Sequence, residues 1–384
     1  MQTKISPNLS FWEYQTWFNQ VDVVVIGAGI VGLSTAIHLK KQKPHLKVLV
    51  LERGMLPSGA STKNAGFACF GSISELQNDI EKTSIEQVMQ VVEMRIKGLD
   101  LLKSTVGERD LNLEPMGGYE LFKPEEEEVF ENCMLLRSTL NRELKSLTGE
   151  AQTFQLVDEK IPNFGFKGVN HLMWNSAESQ IDTGGMMRKL HLLALQAGVL
   201  VVNCAHVLHF EDIGNKVLLK LEDELEILAS KVVVAVNGFV SKWFPQLDVH
   251  PARAQVLVTS HIMNLPFKGS FHYQEGYYYF RNVGQRVLFG GGRNLDFEGE
   301  RIESHQPTEN IQAALETFLK EVILPEADFV IDYRWAGTLG LGTEKKPIIE
   351  WVGPRILCAV RMGGMGVAIG SLVGKQAAEM VTKA

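Results

Sequence analysis

The chain has 384 residues, with 38 basic against 45 acidic side chains and a formal charge of −7. With 45% hydrophobic and 22% charged residues, it reads as a globular protein of one or two domains, too apolar for intrinsic disorder. The acidic balance and the absence of a basic run argue against a partner gripped through nucleic-acid phosphates. The densest charge block, residues 125–128, is acidic and reads as a solvated face.

Cys69, Cys133, Cys204 and Cys358 form no C-x-x-C pair. That pattern fits neither a disulfide framework nor a zinc site, and no metal is expected. The first residues lack the basic-then-apolar order of a signal peptide. The apolar stretch 21–39 carries Asp22 and three closely spaced glycines, so no membrane segment is expected. The cytoplasm is the expected compartment.

In chain order, residues 1–20 cluster Phe11, Trp12, Tyr14, Trp17 and Phe18, which suits a short helix packed on the surface. Residues 21–26 are a β-branched run, as in a strand buried on both faces of a parallel sheet. Gly27-Ala28-Gly29-Ile30-Val31-Gly32 follows, then an apolar helical pattern through Leu39 that Pro44 closes. Residues 47–51 are a second buried strand, ending at Glu52. Residues 75–150 read as mostly helical and 184–198 as a helix, with strands at 199–210, 216–221 and 225–236. The segment 251–293 is β-rich, with a hairpin whose arms are 277–281 and 286–291 around a turn at 282–285. Residues 308–322 read as a helix. A strand at 356–360, a glycine turn and a final helix at 366–383 complete the chain. No linker is visible, so a second domain has to be interleaved with the first.

A lone G-x-G-x-x-G is weak evidence, but here it sits between strand and helix, with a second strand and an acid behind it. Gly27 permits the tight turn, Gly29 lets backbone N–H groups approach a pyrophosphate, and Gly32 lets the helix lie close to the sheet. Glu52 is placed to accept hydrogen bonds from ribose hydroxyls, and an acid there disfavours NADP. Two further segments favour FAD over NAD. The small-residue loop 59–66 can wrap a second part of a long cofactor. The run 361–367 leads into the last helix, whose N-terminus can stabilise negative charge on a reduced flavin.

These segments, taken with Ser10-Phe11-Trp12, Tyr279-Phe280-Arg281, Leu288-Phe289-Gly290-Gly291-Gly292, Arg334-Trp335-Ala336-Gly337-Thr338 and Gly364-Met365-Gly366-Val367, resemble the D-amino-acid-oxidase superfamily of FAD-dependent oxidoreductases. The likeness runs over nearly the whole chain and is nearest to the γ-glutamylputrescine-oxidase and sarcosine-oxidase group. It implies an α/β fold: an FAD-binding, Rossmann-like domain of the glutathione-reductase type, interleaved with an α+β substrate domain whose β-sheet roofs the flavin. The FAD-binding domain would comprise 1–85, 165–245 and 331–384, and the substrate domain 86–164 and 246–330. The implied FAD contacts are Gly27, Gly29, Ile30, Gly32, Glu52, Arg53, Ser61, Lys63, Asn64, Ala65, Gly66, Val207, Ala235, Gly238, Gly363, Gly364, Met365, Gly366 and Val367.

The chain also departs from its relatives. The loop 339–343 lacks the cysteine through which sarcosine-oxidase relatives attach FAD, so the cofactor is expected to be non-covalent. Thr338 and Leu339 stand where glycine oxidase and its kin carry a carboxylate-binding arginine. Ala368 stands where sarcosine oxidase has a lysine. A larger or cationic amine is thereby favoured over a small amino acid. Strand alternation puts Tyr277, Tyr279 and Arg281 on one face, and Tyr279 and Arg281 are the expected substrate-orienting residues.

The implied reaction is oxidation of a C–N bond in an amine or amino acid by hydride transfer to flavin N5, the imine then being hydrolysed. Oxygen or an electron carrier would be the acceptor. The alternative is an FAD-dependent 2-hydroxy-acid dehydrogenase, which calls for a base such as His261 or His272 at the site. A flavoprotein acting on modified tRNA is disfavoured by the charge, and a non-catalytic FAD-binding protein is the remaining rival.

Overall fold

The β-branched and glycine-bounded runs assemble into two large sheets in a computed structural model of the chain, which describes residues 9–384. The first eight residues of the expected N-terminal helical segment lie outside the described residues. The rest of that segment forms helical turns over Phe11–Glu13 and Tyr14–Phe18. Phe18 is buried there, while Phe11 and Trp12 stay exposed.

Val21–Ile26 is the centre of the first sheet. It pairs in parallel with Glu226–Val234 on one side and Val48–Leu51 on the other. Ile356–Val360 and Leu200–Val202 extend this parallel core. Antiparallel strands Ile348–Gly353, Val207–Asp212 and Val217–Leu221 finish it. The continuous apolar strands are buried on both faces, as a parallel sheet requires. Helices Ile30–Gln42, Thr183–Gln196 and Gly366–Lys383 share one core with that sheet.

The second eight-stranded sheet runs in the order Ile331–Leu341, His250–Thr259, Arg286–Gly291, Tyr278–Val283, Ser270–Tyr273, Gly118–Phe122, His171–Asn175 and Phe154–Leu156. Its pairings are antiparallel except where Ser270–Tyr273 meets Gly118–Phe122. One face carries Phe267, Phe271, Phe280 and Phe289, stacked and edge-on in a single aromatic core.

The strands of the two sheets interleave along the chain. Strands His171–Asn175 and Ile331–Leu341 sit in the second sheet, not the first, because their partners are Gly118–Phe122 and His250–Thr259. The hairpin turn is also shorter than the residues suggested. Val283 pairs with Arg286, leaving only Gly284 and Gln285 between them, and Gly284 adopts φ +59°.

Candidate active site

The glycine-rich turn after Val21–Ile26 sits at the carboxyl end of the parallel strands, where a strand-to-helix crossover leaves a crevice. Gly27 adopts φ +102°, and a β-carbon there would press to 2.8 Å from the Ala235 carbonyl oxygen. At Gly32 a β-carbon would come 1.8 Å from the Gly27 oxygen, so this glycine sets how closely helix Ile30–Gln42 meets the turn. Gly29 lines the crevice itself, together with Ile30, Glu52, Arg53 and Ser61.

Glu52 is buried at the end of its strand. Its carboxylate accepts from the Ala28 N–H at 3.1 Å, the Gly54 N–H at 3.0 Å and the Ser58 hydroxyl at 3.2 Å. The acid thus ties the glycine turn to the loop beyond it, as well as facing the crevice. The Ser61 hydroxyl accepts from the Ile30 N–H at 3.0 Å. Asn64 shapes the following bend: its Oδ1 accepts from the Gly66 N–H and the Thr183 hydroxyl, and its Nδ2 donates to the Ser61 carbonyl. The Trp335 indole donates to the Lys63 carbonyl at 2.9 Å, fastening this loop to the second sheet.

Val207, Ala235, Gly364, Gly366 and Val367 also line the crevice. Gly32, Gly66 and Gly238 do not line it. A β-carbon at Gly66 would lie 2.4 Å from the Ile181 oxygen, and one at Gly238 would lie 2.2 Å from the Leu339 oxygen. These two glycines serve close backbone approach. Sequence reasoning missed Phe239, over whose ring the Arg53 guanidinium sits at 4.0 Å. Phe239 follows Glu226–Val234 by a few residues, so the rule that ligands gather at carboxyl ends of parallel strands would have found it.

The crevice opens into a second cavity of about 1020 Å³. Asn64, Leu339, Gly364 and Val367 line both, so the two form one continuous trough. Lys63, Ala65, Gly363 and Met365 lie on the wall of the second part. Tyr279 reaches the cavity from the sheet, its ring leaning across Gly290, where a β-carbon would lie 2.6 Å from Cε2. Burial pushes its phenol up to about 12, so the hydroxyl keeps its proton as a donor.

Arg281, expected beside Tyr279, does not line the cavity. Its Nη1 donates to the Gly66 and Ile181 carbonyls, both at 2.8 Å, and its Nε to the Asn282 carbonyl. It shares the strand face of Tyr279 but holds the loop over the turn. His272 does reach the cavity wall, with Cys69 beside it, whereas His261 is solvent-exposed. The His272 Nε2 is paired with the buried Glu178 at 3.1 Å. All four cysteines are free, and Cys358 is buried in its strand.

The residues present fit FAD. A bare-glycine cradle at Gly27 and Gly29 leads to the buried carboxylate of Glu52, and the trough continues past the small-residue loop to the start of helix Gly366–Lys383. Gly29, Glu52 and Arg53 would hold the adenosine half, and Asn64, Gly364 and Val367 lie at the passage toward the flavin half. Among the described residues no helix is long and apolar enough to cross a membrane.

Comparison with known proteins agrees. The family model for FAD dependent oxidoreductases (DAO) matches residues 22–380. The probable oxidoreductase OrdL of Haemophilus influenzae is 22% identical over 401 residues, covering 95% of this chain and 84% of that protein. Among solved structures, L-proline dehydrogenase from P. horikoshii superposes with TM-score 0.73 at 18% identity, covering 95% of this chain and 94% of the other. Glycine oxidase from Geobacillus kaustophilus gives TM-score 0.73 at 17% identity, with 95% of each chain covered. At these identities the structural likeness establishes a shared fold.

Proposed function

The chain belongs to the DAO family of FAD dependent oxidoreductases, and from that membership we propose that it oxidises a C–N bond in an amine or amino acid. The observation that carries the reading is the continuous trough: a dinucleotide crevice opening directly into a large cavity roofed by Tyr279. Solved structures sharing the fold include enzymes named for oxidising proline and glycine, which supports a nitrogen substrate here.

FAD, when bound, supplies a two-electron acceptor for the hydride leaving the carbon next to nitrogen. The residues of the chain bind and orient. Tyr279 offers a protonated hydroxyl to a substrate heteroatom. Val256, Leu339 and Val367 give the cavity apolar walls, which favour the neutral form of a bound amine. Loss of hydride from that form leaves an iminium ion, which deprotonates to the imine. Water then hydrolyses the imine to a carbonyl compound and the free amine. Oxygen or an electron carrier would return FAD to its oxidised form. We expect FAD to be held without a covalent bond, because loop 339–343 offers no cysteine, and we expect the protein to work in the cytoplasm.

One observation favours a second reading. His272 lines the cavity and carries a carboxylate partner, the arrangement a 2-hydroxy-acid dehydrogenase needs to take up a hydroxyl proton. Anaerobic mixing of the holoprotein with amines, amino acids and 2-hydroxy acids decides. Bleaching of the flavin by nitrogen substrates supports the first reading, and bleaching only by hydroxy acids supports the second. No bleaching by any of the three would refute both.

A further inference from the structure

Three side chains of different chemistry meet at the cavity wall: the Cys69 thiol, the His272 imidazole and the Glu178 carboxylate. All three are buried, and their sulfur, nitrogen and oxygen atoms lie within 4.8 Å of one another. Cys69 and His272 line the cavity itself. The fold brings the three together from distant stretches. Phe67–Ala68 pairs antiparallel with Ser179–Gln180, Ala68 opposite Ser179, so the next step of that ladder sets Cys69 across from Glu178. His272 arrives on Ser270–Tyr273 as the cross-strand neighbour of Tyr279. Gly118 makes the room, since a β-carbon there would lie 1.9 Å from Glu178 Oε2. The neighbouring acids are engaged elsewhere: Glu75 with Lys345 and Arg95, Glu120 with the Ser72 and Ser74 hydroxyls.

We propose that Cys69, His272 and Glu178 form a zinc site whose fourth coordination position faces the cavity. Thiolate, imidazole and carboxylate are donors that Zn²⁺ takes, whereas Mg²⁺ and Ca²⁺ take oxygen. Bonds to Zn²⁺ of about 2.0–2.3 Å at tetrahedral angles set neighbouring donors about 3.4–3.6 Å apart. The His272–Glu178 separation of 3.1 Å is already near that spacing. The sulfur, within 4.8 Å of both, has about an ångström to close. One thiolate and one carboxylate balance the charge of the ion, so the assembled group suits its buried setting. Asn175 Nδ2 donates to the other oxygen of Glu178 at 3.2 Å, the kind of outer partner that aims a ligand. Without metal, the hydrogen bond between His272 and Glu178 keeps those two donors together. Three protein donors leave the fourth place to water, or to an oxygen or nitrogen of the molecule in the cavity, as in zinc sites that act on substrates. No ligand spacing announces the group, because residues 69, 178 and 272 lie on three separate stretches of the chain.

The inference goes beyond the oxidoreductase reading, and its test needs no turnover. The holoprotein is dialysed against a chelator and titrated with Zn²⁺ and, separately, with Co²⁺. Bound metal is counted after gel filtration. Wild type should retain one equivalent of either ion, and excess Mg²⁺ should not displace it. Co²⁺ should give the intense visible bands of a four-coordinate ion, at wavelengths longer than the flavin absorbs. Cys69→Ser and His272→Gln should each weaken binding by more than about 100-fold, the upper end of what losing an outer partner costs. His209→Gln, at the exposed His209–Glu211 pair, should retain the full equivalent. FAD content and melting temperature are read alongside, and if His272→Gln fails to fold, Cys69→Ser decides.

A wild type that retains no metal overturns the proposal, as does an equivalent retained undiminished in Cys69→Ser. Loss of the equivalent in His209→Gln overturns it too, by placing the ion on the surface. The outcome separates from the reaction class. Metal held through Cys69, in a protein whose flavin no substrate bleaches, would leave the zinc site standing and sink the oxidoreductase reading. Substrate bleaching in a protein that binds no metal would do the reverse.

Discussion

His272 Nε2 lies 3.1 Å from Glu178 Oε2, with both side chains buried and Cys69 Sγ close by. Burial alone pulls the imidazole down. The Glu178 carboxylate, with Glu120 and Glu75 further off, outweighs it, and the net shift is upward from 6.5. A group with a raised folded pKa binds its proton more tightly when folded. Its stabilisation is therefore full below 6.5 and fades as pH rises through the folded value. Glu178→Gln should lower stability by about 1.5–3 kcal/mol at about pH 5.5 and by less at about pH 9. Urea melts of both proteins check this; equal losses at the two pH values would mean His272 is uncharged in the pair.

Arg281→Met should act on the fold and the cofactor, not on substrate handling. The guanidinium is pushed down to about 10 by burial, yet it still spends Nη1 on two carbonyls that bracket the cofactor loop. Each bond from a charged donor is worth about 1.5–3 kcal/mol. The variant should melt earlier and purify with less than stoichiometric FAD. Normal melting and FAD content with slow anaerobic reduction would instead place Arg281 at the substrate.

That contrast marks how far the residues could be read. The strand-turn-helix around Gly27 and the hairpin strands were legible because their signals are local: a β-branched run, spaced glycines, an alternating pattern. Face parity placed Arg281 on the same side as Tyr279, and that was right. Parity is silent about what waits on that side, and the waiting group was the Gly66 carbonyl, 215 residues away. His272 and Glu178 belong to no motif; they meet because Gly118–Phe122 pairs in parallel with Ser270–Tyr273 on one side and antiparallel with His171–Asn175, the strand before Glu178, on the other.

Glu52→Ala should cost both loop order and cofactor affinity. The carboxylate accepts from Ala28, Gly54 and Ser58 while facing the crevice. Removing it leaves the buried Ala28 N–H without its acceptor, a loss of about 1–3 kcal/mol. Apoprotein stability should fall by that order, and FAD affinity, followed by quenching of flavin fluorescence, should fall by about tenfold or more. A variant that loses apoprotein stability but keeps full FAD affinity would show that Glu52 serves only the loop.

Precipitation of the holoprotein with acid should leave the yellow colour in the supernatant. Loop 339–343 has no cysteine. Cys69 is the cysteine on the cavity wall, and burial raises its thiol well above the usual range, which disfavours the thiolate that attachment would need. Colour retained in the pellet, and lost from it in Cys69→Ser, would overturn this expectation and identify the attachment point.

The last prediction concerns Glu75, which carries its charge in a buried setting. Burial works against that charge, but Lys345 and Arg95 outweigh it and hold the carboxyl down to about 2, from 4.5. Lys345 Nζ lies 2.8 Å from Glu75 and 2.7 Å from Asp79, so the loop before Ile348–Gly353 is clasped to helix Ile73–Lys82. A carboxyl with a depressed folded pKa adds stability that is complete above 4.5 and lost as pH falls through about 2. Lys345→Met should therefore destabilise the protein at neutral pH, and its deficit against wild type should shrink steadily below 4.5. Because Lys345 is 41% exposed, solvent screening limits the loss to about 1–2 kcal/mol. Arg95 stays in place in that variant, so Glu75 keeps one cation and the fold should survive. Thermal melts of the two proteins between about pH 2.5 and pH 7 make the comparison; a deficit that stays constant over that range would show that Lys345 stabilises by packing its stem, not by holding the Glu75 charge.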